Sequence, residues 1–206
     1  MKPLMAVAAA LWVSAVVLTK AAQAAPPQPV IQLPQHPATT AASSAPDASD
    51  SSWHTGHGCL ADGTGYFRAR IGGALTMDVN WKGAELECSG EARPDGSGLR
   101  VSFAGPGPGG KPMRVVFGVG SAREGRAGRE LPTNLTALFE GGRIFATRGD
   151  DKCTMDQLTQ HPLPGPSAAR VWRIEGRGFC VAPANALGSK AHILISRFDF
   201  AGRIEF

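Results

Sequence analysis

Between Leu75 and Cys88 apolar and polar side chains alternate almost without a break. Leu75, Met77, Val79 and Trp81 fall on one side of an extended chain, and Thr76, Asp78, Asn80 and Lys82 on the other. Ala84, Leu86 and Cys88 then alternate with Glu85 and Glu87. A period of two is what a half-buried β-strand requires, and it leaves no stripe for a helix to bury. No window from residue 53 onward sustains a helical apolar period, and glycine and proline (26 and 16 of 206 residues) punctuate the chain throughout. Both are poor guests in helix interiors and regular members of turns. The chain therefore reads as all-β.

The same alternation implies registers. Lys82-Gly83 has the length of a two-residue hairpin turn. It sets Trp81 opposite Ala84 and Asp78 opposite Glu87, a like-charge pair that costs a few tenths of a kcal/mol. A three-residue turn at Gly72-Gly73-Ala74 sets Ile71 against Leu75, Phe67 against Val79 and Arg68 against Asp78, where the guanidinium offsets the acidic pair. Further strands are expected at residues 99–103, 113–119, 170–175 and 191–200, with Ile204 and Phe206 tying down the C-terminus. Residues 135–140 and 143–148 form a central hairpin across Gly141-Gly142, with Glu140 opposite Arg143. Single helical turns are expected at residues 151–159 and 183–187. About nine strands joined by short turns indicate an antiparallel β-sandwich or a closed barrel. Asp62-Gly63-Thr64-Gly65 and Asp95-Gly96-Ser97-Gly98 read as turns with glycine at positive φ. One carboxylate in each is too few for a calcium loop.

The N-terminus sets the expected compartment. Lys2 precedes a fifteen-residue run, 4–18, interrupted only by Ser14, and Ala22-Gln23-Ala24 supplies an A-x-A cleavage site. Residues 1–24 thus read as a secretory signal, too short and wrongly flanked to be a good membrane span, so no integral membrane span is expected in the mature protein. Residues 25–52, rich in Pro, Ala, Ser and Thr, cannot bury enough apolar surface to offset ordering their backbone and read as a disordered tether. Residues 53–206 are one β domain's worth of chain. Removing Lys2 and Lys20 leaves 19 basic residues against 17 acidic, so the net charge falls from +4 to +2. That balance gives no case for nucleic acid, whose partners cluster basic residues on one face.

In an exported, bacterial-looking chain the even set Cys59, Cys88, Cys153 and Cys180 reads as two disulfides. Four cysteines allow three pairings. Cys59–Cys88 with Cys153–Cys180 is preferred because each closes a loop of about thirty residues, worth roughly 2–4 kcal/mol. A tetrathiolate zinc site would call for C-x-x-C pairs, and none exists.

Candidate chemistry is sparse. His54 and His57, just before Cys59, are the only short metal-ligand constellation, and no metal or other cofactor is expected. Neither a G-x-S-x-G elbow nor an H-E-x-x-H helix is present. His161 and His192 are the possible bases within the domain body. The adjacent acids Asp150 and Asp151 cannot face each other across a cleft as a glycosidase requires. Asn134-Leu135-Thr136 matches a glycosylation acceptor by chance. Arg123, Arg126 and Arg129, spaced three residues apart on a flexible loop, are the candidate ligand-binding residues, able to clamp carboxylates or phosphates on an anionic envelope glycan. The expected function is a non-enzymatic periplasmic or secreted domain that binds a cell-envelope protein or anionic glycan. The alternative is a secreted hydrolase, which would need a cleft gathering Asp150, Asp151 or Glu175 around a histidine.

Overall fold

The computed structural model describes residues 59–164 and 170–206. The expected signal, the tether and the pair His54/His57 lie outside the described residues. The strands are β1 (Tyr66–Gly73), β2 (Met77–Lys82), β3 (Glu87–Ala92), β4 (Gly98–Pro106), β5 (Pro112–Gly120), β6 (Gly128–Phe139), β7 (Arg143–Ala146), β8 (Cys153–Pro162), β9 (Val171–Cys180), β10 (Ala184–Ala186) and β11 (His192–Glu205). Among the described residues there are thus eleven strands where about nine were expected.

Their pairing closes on itself. Following hydrogen-bonded neighbours from β3 through β4, β5, β6, β8, β9 and β11 returns to β3, where Glu205 and Glu91 pair in parallel. Every other pairing is antiparallel. Of the two architectures the alternation allowed, the closed barrel is the one formed. The ribbon of β1 and β2 extends from β11, and β7 with β10 makes a second bridge between β6 and β11.

Aromatic side chains fill the interior. Phe67 stacks on Phe103 (centroids 5.1 Å apart) and tilts against Trp81 (5.2 Å). Phe103 meets Phe200 at 4.8 Å, and Phe117 meets Phe198 at 4.4 Å. Several glycines leave the space these rings fill, Gly176 as the direct cross-strand partner of Phe200. A Cβ at Gly176 would lie 2.5 Å from Phe200 Cζ, and one at Gly105 would lie 2.6 Å from Trp81 Cδ2. The high glycine content therefore serves packing as well as turns.

Several registers differ from expectation for physical reasons. Ile71 pairs with Met77 and Phe67 with Trp81, two residues away from the expected partners. An even slip keeps every side chain on its face, so the inward set is unchanged. Arg70 takes Asp78 (3.0 Å) and Arg68 is released to Asp199 (3.3 Å). No β2–β3 hairpin forms. Gly83–Glu85 makes one 3-10 turn that drops Leu86 into the core, and β3 pairs with β4 instead. The opposition of Asp78 and Glu87 never arises. In the β6–β7 hairpin Arg143 pairs with Phe139, leaving Glu140 in the turn with Gly141 and Gly142 at φ of +85° and +80°. Both faces of that hairpin are apolar, which makes a one-residue slip cheap.

Residues 151–159 do not turn as a helix but lead into and form most of β8. A bulge between Met155 and Gln157 makes Cys153, Met155, Leu158 and Gln160 the inward set. The three-residue step from Met155 to Leu158 imitates helical spacing. Residues 183–187 likewise contain β10, three residues long and paired with β7 and β11.

Both disulfides have the preferred pairing, Cys59–Cys88 and Cys153–Cys180. They fit an oxidising, extracytoplasmic compartment. Among the described residues no helix is long and apolar enough to cross a membrane.

Candidate functional site

The outward positions midway along three neighbouring strands, β1, β11 and β9, are charged. In β1, Phe67, Ala69 and Ile71 are buried while Arg68 and Arg70 between them are exposed. In β9, Ile174, Gly176 and Gly178 face the core while Glu175 and Arg177 face out, and in β11 Phe198 and Phe200 alternate with Arg197 and Asp199. An aromatic interior beneath a charged exterior is the reverse of the polarity of a membrane-spanning barrel. Pairing then lines up one transverse row across six strands: Asn80, Arg68, Asp199, Arg177, Gln157 and Arg129.

A depression of about 660 Å³ opens on this face over β8, β9, β11 and the start of β1. Tyr66, Gln157, Thr159 and His161 line it together with charged groups. Burial, with help from Asp199, raises the Tyr66 phenol above its ordinary range, so it stays a hydroxyl donor; the Arg68 guanidinium lies 4.4 Å from its ring centre. The carboxylates are largely engaged. Asp199 Oδ2 is 3.3 Å from Arg68 Nη1, and Glu175 Oε1 accepts from Arg173 Nε at 2.7 Å. Arg177 and Arg197, both exposed and both lining the depression, form no ion pair among the described residues.

The three candidate arginines are not gathered on one flexible loop. Arg129 belongs to β6, opposite Gln157, and so joins the transverse row. Arg123 and Arg126 are exposed on a turn closed by the Arg126 N–H donating to the Arg123 carbonyl at 3.1 Å. That turn is fastened from beneath. The buried Gln160 side chain donates to the carbonyls of Arg123 (2.8 Å) and Arg126 (2.9 Å) and accepts from the Gly125 N–H (3.1 Å). Trp172 Nε1 donates to Glu124 at 3.2 Å, and Arg170 pairs with the same carboxylate. A single polar residue inside the barrel end thus replaces the expected flexibility with a fixed turn.

The hydrolase residues are only partly assembled. His161 and Glu175 share the depression, as diagonal neighbours across β8 and β9. Asp150 and Asp151 lie elsewhere and diverge: Asp150 accepts from Asn134 Nδ2 and sits 3.6 Å from Arg93, while Asp151 pairs with Lys152 at 2.9 Å. His192 opens β11 and lines a different depression with Arg70 and Met77. Among the described residues no hydroxyl nucleophile hydrogen-bonds to a histidine, the contact that nucleophilic catalysis uses. Asn134 also accepts from the Gly118 N–H at 3.2 Å, so its amide is spoken for on both atoms.

Asp62 and Asp95 behave as turn residues. Each Oδ1 accepts both the backbone N–H (3.0 and 2.9 Å) and the hydroxyl (2.7 Å each) of the residue two ahead. Those bonds hold both carboxyls below the usual aspartate range. Gly63 and Gly96 follow at φ of +71° and +67°. Among the described residues no three His, Cys, Asp or Glu side chains are grouped to hold a metal ion.

Comparison with known proteins gives no match among family models, curated proteins or solved structures. Sequence reasoning passed over Tyr66, Arg177 and Arg197. Their signal was present in β1 and in the outward positions of β9 and β11, but only the pairing of strands distant in sequence brings them to one face.

Proposed function

We propose that this is a non-catalytic, periplasmic or secreted binding domain of a bacterial cell envelope whose ligand is a glycan held on the outer face of β1, β11, β9 and β8. The observation that carries this reading is the open depression lined by Tyr66, Gln157, Thr159 and His161. These side chains combine hydroxyl, amide and imidazole groups that both donate and accept, which suits a hydroxyl-rich ligand. An open shape on a sheet face leaves room for a chain to pass through, with the Tyr66 hydroxyl among its lining groups. Arg123 and Arg126 on the neighbouring fastened turn, with Arg129, add positive charge to the exposed surface beside β8.

Affinity electrophoresis of the mature protein through gels containing neutral, uronic-acid and sulfated polysaccharides tests the reading. Retardation by at least one polymer is expected, with Tyr66→Ala weakening the affinity about tenfold, the equivalent of about 1.4 kcal/mol. Mobility unaffected by every polymer would reject the glycan and leave an envelope protein as the occupant. The hydrolase alternative draws on the shared placement of His161 and Glu175. It requires new reducing ends to appear on incubation with a retarding polymer and to vanish in Glu175→Gln. The binding-domain reading expects none.

A further inference from the structure

Resting on that reading, we infer that the depression selects saccharides bearing anionic groups, carboxylates or sulfate esters, and that Arg177 and Arg197 are the residues that read the charge. Asp199 lies directly opposite Arg177 across the β9–β11 pairing, yet its carboxylate is taken by Arg68 from the other side at 3.3 Å. Glu175, two residues from Arg177 on the same face, is held by Arg173 at 2.7 Å. Asp199 and Glu175 thus have cationic partners other than Arg177, with Arg173 shared between Glu175 and, at 3.7 Å, Asp62. Arg197 precedes Asp199 by two residues on the outward side of β11, which makes it the diagonal neighbour of Arg177 at about 7–8 Å between backbones. Across β1 it faces another cation, Arg70, whose own partner is Asp78 at 3.0 Å.

Two exposed guanidinium groups therefore share one depression with no ion pair of their own among the described residues; Asp78, bonded to Arg70, also feels the charge of Arg197. Asp156, on the bulge of β8, also lines the depression and forms no ion pair among the described residues, so its one negative charge stands against the two guanidinium charges. A guanidinium presents a planar fork of donors that matches a carboxylate or sulfate oxygen pair. The neutral donors and acceptors around Tyr66 would hold the ring hydroxyls. This division assigns charge recognition to Arg177 and Arg197 and general sugar binding to the remainder of the depression.

The test compares oligogalacturonate, sulfated dextran and unmodified dextran by calorimetry at moderate salt, using the mature protein. The expected result is at least tenfold tighter binding of an acidic polymer than of dextran. Arg177→Gln with Arg197→Gln should bring the acidic polymer to the dextran level while leaving the melting temperature unchanged. The Arg177→Lys, Arg197→Lys pair keeps the charge but loses the fork, and should fall between. Preference for only one acidic polymer supports the inference and identifies the anion. Equal affinity for acidic and neutral polymers, or a preference that survives the glutamine pair, overturns it and leaves the glycan reading standing. Failure of all three polymers to bind overturns both.

Discussion

Phe67→Ala is expected to destabilise the domain by about 3–5 kcal/mol, the cost of deleting a fully packed aromatic ring and leaving its cavity behind. Phe67 is 0% exposed and touches three other rings, those of Trp81, Phe103 and Phe117. The strands bearing these rings are β1, β2, β4 and β5, so one truncation loosens the ribbon from the barrel wall. A domain of ordinary stability holds about 5–15 kcal/mol in total, which makes this a large fraction. Urea unfolding followed by tryptophan fluorescence measures it. The neighbouring Arg68→Ala removes only an exposed pair with Asp199 and should cost less than about 1 kcal/mol. Similar midpoints for the two variants would mean that Phe67 is not at the centre of the core.

Loss of either disulfide is the second large effect. The bridges span 29 and 27 residues, and loops of this size constrain the unfolded chain by about 3 kcal/mol. For a domain of this length that corresponds to a fall in Tm on the order of 10 °C. The paired variants Cys59→Ala, Cys88→Ala and Cys153→Ala, Cys180→Ala should each show it by differential scanning calorimetry. Their local consequences differ. Cys153 and Cys180 already sit opposite each other on paired strands, so β8 and β9 remain hydrogen-bonded without the bridge. Cys59 belongs to no strand and is held by Cys88 of β3, so its removal should also raise hydrogen exchange in the segment before β1. A Tm unchanged by either pair would show that the bridges add nothing to the fold.

Much of the fold was legible because alternation reports faces directly. Leu99, Val101 and Phe103, and Val115, Phe117 and Val119, occupy the core as their spacing implies. Even the displaced β1–β2 register kept Phe67 and Trp81 inside, since an even slip preserves parity. The disulfides followed from four cysteines at two similar intervals. Beyond these the local pattern failed where the backbone departs from strict alternation. The bulge at Asp156 disguised β8, and the three residues of β10 are too few to show a period.

The surface was harder to read than the core. Arg68 meets Asp199 across 131 residues of sequence, and no local rule joins them. Arg123, Arg126 and Arg129 looked like one flexible cluster because three-residue spacing is visible and Gln160, which fastens the turn from 34 residues downstream of Arg126, is not. That Arg177 forms no ion pair among the described residues depends on which neighbours claim Asp199 and Glu175, a property of the assembled sheet alone.

A domain that reads anionic glycans as proposed must bind them on the outer face of β1, β11, β9 and β8. Amide chemical-shift mapping of the isotope-labelled mature protein during separate titrations with oligogalacturonate and a sulfated oligosaccharide tests this directly. The expected shifts centre on Tyr66, Gln157, Arg177, Arg197 and Asp199 and saturate together. Shifts confined to the turn carrying Arg123 and Arg126, or no shifts at millimolar saccharide, would contradict it.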